Sequence, residues 1–196
     1  MRTSTNERIL GREERLGLEA EALIAQIRER ARNLYLTRQM LCAEAVMVAL
    51  NHGLKGGLSD AQAVAMAAPF SVAMGESGCM CGALSGAVMA SGLFLGNERP
   101  HRHRREIRDS ARQLHDTFKA ANGATCCSVL SRKIKHNKHD HFLHCADLTA
   151  ESAELAARLI LRKRPELLEQ VDNNFLFKRQ SMIGGALSRL IHFFVH

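Results

Sequence analysis

From Ala61 to Gly96 the chain carries a single charge, Glu76, in a stretch built mostly of Ala, Ser, Gly, Met and Leu. Few folds accept such a segment. A membrane span needs about 20 predominantly apolar residues, and here Pro69 and the turn Gly75-Glu76-Ser77-Gly78 interrupt the run. Two buried helices packed closely against neighbours are the better reading. Gly82, Gly86 and Ala90 recur every four residues, which puts them on one helix face where another backbone can approach.

The rest of the chain agrees with an all-α fold. Trp is absent and Tyr occurs once, and alternating β-branched runs are missing. Ala, Leu, Arg, Glu and Met favour helices. Helices are expected over 10–33, 36–52, 59–73 with a bend at Pro69, 81–95, 103–121, 125–135, 149–163, 165–175 and 180–194. Ser59-x-x-Gln62 is a capping box for the third. The expected architecture is a compact multi-helix bundle with Gly/Ala-rich central helices buried inside. Residues 35–162 form its cysteine-containing core, flanked by helical extensions at 1–34 and 163–196. The apolar finish Ile191-His192-Phe193-Phe194-Val195 would cap the core or meet a second copy.

No apolar run follows Met1-Arg2-Thr3-Ser4, so a reducing cytosol is the expected compartment. There, six cysteines are expected to be free, catalytic or metal-bound rather than a disulfide framework. Charge is uneven. The chain has 27 Lys/Arg against 20 Asp/Glu, a net of +7. Between Arg99 and Cys145 there are eleven Lys/Arg, four Asp/Glu and seven of the ten histidines. All the net charge thus lies in that quarter of the chain, as a solvated surface or as a site for an anionic partner. Nucleic acid is disfavoured, because the aromatic residues that single-strand binding uses are absent. No serine–histidine–aspartate order, phosphate loop or paired carboxylates mark a hydrolase.

The cysteines are Cys42, Cys79, Cys81, Cys126, Cys127 and Cys145. None forms Cys-x-x-Cys, which removes a thioredoxin-type motif and a zinc ribbon. Cys79 and Cys81 lie one residue apart beside Gly75, Gly78 and Gly82. In a helix, residues two apart diverge by about 200°, so the two thiols meet only if the chain turns at Met80. A helix beginning near Cys81 would lower the pKa of Cys81 most, and of Cys79 to a lesser degree. His136-x-x-His139-x-His141-x-x-His144-Cys145 reads as a polar loop, with His141 and His144 as weaker metal candidates.

Leu41-Cys42-Ala43-Glu44-Ala45-Val46, then Gly78-Cys79 with Cys81-Gly82-Ala83-Leu84-Ser85-Gly86-Ala87, then Cys127-Ser128-Val129-Leu130, then Cys145 together resemble the family of putative redox-active proteins named for its C–GCAxxG–C–C cysteine pattern. The similarity covers roughly residues 35–160. It implies a helical, redox-active protein. The family pattern has one cysteine where this chain has Cys126 and Cys127; Cys127 is the expected counterpart.

Residue chemistry and resemblance leave three readings. Cys42, Cys79, Cys81, Cys127 and Cys145 could hold an iron–sulfur cluster or another transition metal for electron transfer. Pairs of them could cycle between dithiol and disulfide without metal. Or the basic surface could make a non-redox helical binding module. Cys79 and Cys81 are the expected catalytic pair. A redox partner protein is expected, a homodimer is a candidate, and membrane association is disfavoured.

Overall fold

A computed structural model describes residues 3–96 and 99–181. Helices α1 (Thr3–Leu36), α2 (Cys42–Gly53), α3 (Asp60–Ala67), the six-residue α4 (Ser71–Glu76), α5 (Gly82–Leu95), α6 (Pro100–Asn122), α7 (Cys127–Leu130), α8 (Lys138–Lys163) and α9 (Asn173–Phe177) follow in order. Short 3-10 turns at Ala68–Phe70 and Pro165–Gln170 join them. No strand occurs among the described residues, and none of the helices there is long and apolar enough to cross a membrane. The all-α expectation holds. The tail 182–196, including the helix expected to 194, lies outside the described residues.

The middle of the bundle is α2 and α5. In α2, every residue from Ala45 to Asn51 is buried. In α5, Gly82 to Ala87 are all buried. A helix apolar on every side must be enclosed by others, and α1, α6 and α8 do the enclosing. Leu23, Ile27, Ala31 and Leu34 of α1 fall at helical spacing on one face. They join the same core as Ala153, Ala156, Ala157 and Ile160 of α8. Exposed ion pairs, Arg28–Glu154, Arg32–Asp147 and Arg158–Glu21, line the α1/α8 seam; solvent screening leaves them to set register more than stability.

Two glycines fix how near α5 comes to α2. A Cβ on Gly86 would stand 2.6 Å from the Ala43 carbonyl oxygen and 3.1 Å from Val46 Cβ. A Cβ on Gly82 would stand 2.6 Å from Cys42 Sγ and 2.8 Å from the Phe70 carbonyl. The small-residue face read from the sequence is therefore the α2/α5 contact.

Several local readings change, among them the helix expected over 125–135, which is only Cys127–Leu130, and that over 165–175, which is a 3-10 turn followed by α9. α2 starts at Cys42, six residues later than expected, because α1 ends in a turn in which Arg38 takes a left-handed φ of 55°. α3 has its capping box, with Gln62 N–H donating to Ser59 Oγ, but ends at Ala67. After the Pro69 turn the chain enters a left-handed loop: Val72, Ala73, Met74, Gly75 and Glu76 all have φ between 52° and 69°. L-residues avoid that region, β-branched valine most. Finally, the histidine segment is not a loop beyond Asn137. The Asn137 side chain accepts from His139 N–H and Asp140 N–H, so His139, His141 and His144 belong to the first turns of α8.

The contact at Gly86 generates a stability test. Gly86→Ala should cost about 2 kcal/mol by overpacking. Gly92→Ala, in the same helix with nothing within 4 Å of the added methyl, should be neutral or gain up to about 1 kcal/mol. Denaturant unfolding of the two variants checks this; equal effects would remove the close-approach argument.

Candidate functional site

The site is assembled where α5 begins. Its approach segment, Gly78 to Cys81, runs beside Thr125 to Ser128. Cys81 N–H donates to the Thr125 carbonyl at 2.8 Å, and Ser128 N–H donates to the Gly78 carbonyl at 3.0 Å. Each segment thus lends one donor and one acceptor, in antiparallel sense. That clasp sorts the cysteines into two pairs. Cys79 and Cys126 are joined as a disulfide, with Cα atoms 4.2 Å apart. Cys81 and Cys127 are free thiols hydrogen-bonded to each other.

Cys79 and Cys81 therefore do not form the expected pair. A bend at Met80 exists, but it delivers the two sulfurs to different partners across the clasp. Cys126, set aside in favour of Cys127, is the partner of Cys79. The disulfide sits at the surface, Cys79 being exposed and Cys126 half-buried, whereas Cys81 is 3% exposed.

Cys42 and Cys145 complete the group. Cys42 opens α2, with its sulfur against Gly82 and accepting the N–H of Val72. The left-handed loop is what aims that N–H. Cys145 projects from α8 and accepts a hydrogen bond from the Tyr35 hydroxyl at the end of α1. A cavity of about 280 Å³ opens between these elements, lined by Cys42, Cys127, Cys145, Tyr35, Val72, Ala73, Glu76, Gly78, Ser128, Ser131 and His141 among others.

The thiols titrate very differently. Cys127 is held down to about 7, first by the Cys81 S–H pointing at it and further by the Gly82 N–H, against the opposing effect of burial. Cys81 is raised, because it is the donor in that pair and is buried. Burial also raises Cys42 and pushes Cys145 up to about 11, with the Tyr35 hydroxyl working the other way. Tyr35 itself is raised by burial and by its two thiol neighbours. The α5 N-terminus acts on both sulfurs: the Leu84 N–H works to lower Cys81 but is outweighed by the Cys127 hydrogen bond and burial, so the net lowering is seen at Cys127, which takes the Gly82 N–H. The first free N–H of the helix points across the clasp rather than back along its own chain.

A metal centre on Cys42, Cys79, Cys81, Cys127 and Cys145 does not match this arrangement. The Cys79 sulfur is bonded to Cys126. Among the described residues no three His, Cys, Asp or Glu side chains are grouped to ligate one ion. His141 faces the cavity, and His144 has a buried Nε2 without a hydrogen-bond partner; neither adds to such a set. The sequence reasoning missed Tyr35 and Val72, which no motif marks. It could have found Cys126: two cysteines spaced by one residue facing a cysteine doublet invite two pairings.

The family model described as "Putative redox-active protein (C_GCAxxG_C_C)" matches residues 40–159, well over half of the chain and all six cysteines. The chain belongs to this family. No curated protein and no solved structure gives a significant match. In this C_GCAxxG_C_C protein the matched residues run from the turn before α2 into α8.

The Cys79–Cys126 bridge closes a loop of sequence separation 47. By loop entropy its removal should cost about 4 kcal/mol. The double variant Cys79→Ser/Cys126→Ser, and wild type kept in reductant, should unfold earlier in denaturant by similar amounts; coincident curves for bridged and unbridged protein would contradict this.

Proposed function

We propose that this protein is a metal-free dithiol/disulfide redox protein whose working pair is Cys127 and Cys81. The observation that carries the reading is the placement of Cys127. Its sulfur lines the cavity, accepts from both the Cys81 thiol and the Gly82 N–H, and titrates near neutrality. A thiol with pKa near the ambient pH is the best attacking group for disulfide exchange, since it combines thiolate population with nucleophilicity.

The chemistry follows from the two roles. The Cys127 thiolate attacks one sulfur of a substrate disulfide. A Cys127–substrate bond forms, the substrate S–S bond breaks, and the departing sulfur leaves as thiolate. Cys81 then loses its proton to that thiolate and attacks Cys127 Sγ. The Cys81–Cys127 disulfide forms and the second substrate half leaves as a thiolate, which takes its proton from solvent. Two electrons have passed from the protein to the substrate. Burial of Cys81 suits the second step: it is protonated until the mixed disulfide exists and is out of reach of solvent oxidants.

Reaction of reduced protein with a small disulfide followed by mass spectrometry tests this. Cys81→Ser should accumulate the mixed disulfide on Cys127, and Cys127→Ser should form none. A mixed disulfide on Cys42 or Cys145 instead, or stoichiometric iron with visible absorption in anaerobically purified protein, would sink the proposal. The pH dependence is equally direct. Alkylation of Cys127 by iodoacetamide should rise with pH through about 7 and level off above it. In Cys81→Ala, which removes the donated S–H, the midpoint should move up toward an ordinary cysteine.

A further inference from the structure

The thiol cavity has a neighbour. A second cavity of about 410 Å³ is lined by Tyr35, Arg38, Gln39, Leu41, Glu44 and Phe142, and it shares Tyr35 and Leu41 with the first. Arg38 is the cation in it. Its guanidinium lies 4.7 Å over the Phe142 ring, and that ring stacks at 5.1 Å on Tyr35, a residue both cavities share, so the charge stands in the second cavity, one ring removed from the thiol cavity. Glu44 opposes it less than a free carboxylate would, because its oxygen accepts the Leu41 N–H at 2.8 Å at the start of α2.

The rim has the same sign. Arg132 follows the cavity-lining Ser131 directly, and Lys138 stands one helical turn before the cavity-lining His141. Arg132, Lys133, Lys135 and Lys138 are all exposed. Against them stand Glu76 on the left-handed loop and Asp140, which accepts from the Asn137 amide. The four basic residues that adjoin the lining segment outnumber these two acids, and they belong to the quarter of the sequence that carries the whole net charge of the protein.

Size adds a second constraint. Cys127 is reached within a cavity beneath Val72 and Ala73, with the resolving Cys81 3% exposed behind it. A disulfide held in a folded protein would have to enter that space; a small molecule would not be so hindered. Resting on the dithiol reading above, we propose that Cys127 acts on a low-molecular-weight disulfide bearing carboxylates, with the reacting sulfur in the thiol cavity and a carboxylate beside Arg38.

The test compares three disulfides of similar size and different charge: dithiodiglycolate, 2-hydroxyethyl disulfide and cystamine. Rate constants for protein that keeps the Cys79–Cys126 bridge and has its other thiols reduced are divided by those for a free model thiol, which removes intrinsic reactivity. The normalised rate should favour the dianion over the neutral compound by about tenfold at low salt, place the cation last, and lose the spread as salt rises. Arg38→Ala should abolish the preference while leaving the neutral compound unaffected, and Arg38→Lys should keep part of it. Charge-independent normalised rates, or an Arg38→Ala variant slowed equally with all three, would overturn the substrate class while leaving the dithiol reading standing. No reaction with any of the three, or full rates in Cys127→Ser, would overturn the dithiol reading and the substrate class with it.

Discussion

The absence of a side chain at two positions on α5 decides most of this structure. A methyl on Gly86 would overlap the Ala43 carbonyl, and one on Gly82 would overlap the Cys42 sulfur. Because neither is there, α5 lies directly on α2 at the point where both helices begin. Two helix starts and their cysteines then occupy one small volume. Dispersion between closely packed backbones is small per atom and large in sum, and the surrounding α1 and α8 keep water out of the contact. The same glycines that let the core close also leave the Cys42 and Cys127 sulfurs at the α5 N-terminus.

Burial and hydrogen bonding then divide the thiols by role. All four free cysteines lose solvation, which favours the neutral thiol. At Cys127 two donors, the Cys81 S–H and the Gly82 N–H, outweigh burial. Its neighbour Cys81 is the mirror case: to give up a proton it would have to lose the bond it donates. One shared hydrogen therefore lowers one pKa and raises the other, while N–H groups of the first turn of α5 reach both sulfurs, Gly82 to Cys127 and Leu84 to Cys81. Cys42 receives the N–H groups of Val72, Ala43 and its own residue, Cys145 receives the Tyr35 O–H, and burial prevails at both.

The helical fold and its Gly/Ala-rich centre were legible because each rests on local pattern: uncharged length, four-residue spacing of small residues, and a capping box at Ser59 and Gln62. The cysteine pattern was legible as a family resemblance. The pairing was not. Which of Cys126 and Cys127 faces Cys79 depends on the register between two segments some 45 residues apart in sequence, and a shift of one residue would exchange the partners. Likewise the left-handed loop at Val72 to Glu76 contradicts the propensity of Val, Ala and Met. Only the tertiary context around Cys42 holds it, so a reading that sums local preferences continues the helix to Ala73. The histidine segment erred the other way, since its polarity hid the Asn137 cap that starts α8.

That loop and the disulfide make sense together. A backbone in the left-handed region costs free energy at each non-glycine residue and persists where surrounding contacts fix it. Here the Ser77 hydroxyl donates to the Ala73 and Cys79 carbonyls, Val72 N–H is bound at Cys42, and Cys79 is bonded to Cys126. The loop is thus anchored at one end by the thiol group it covers and at the other by the exposed disulfide. The chain spends one cysteine pair on holding the cover of the cavity and leaves the other pair free inside it. Two pairs drawn from neighbouring residues differ in chemistry because one faces solvent across the clasp and the other faces a buried helix start.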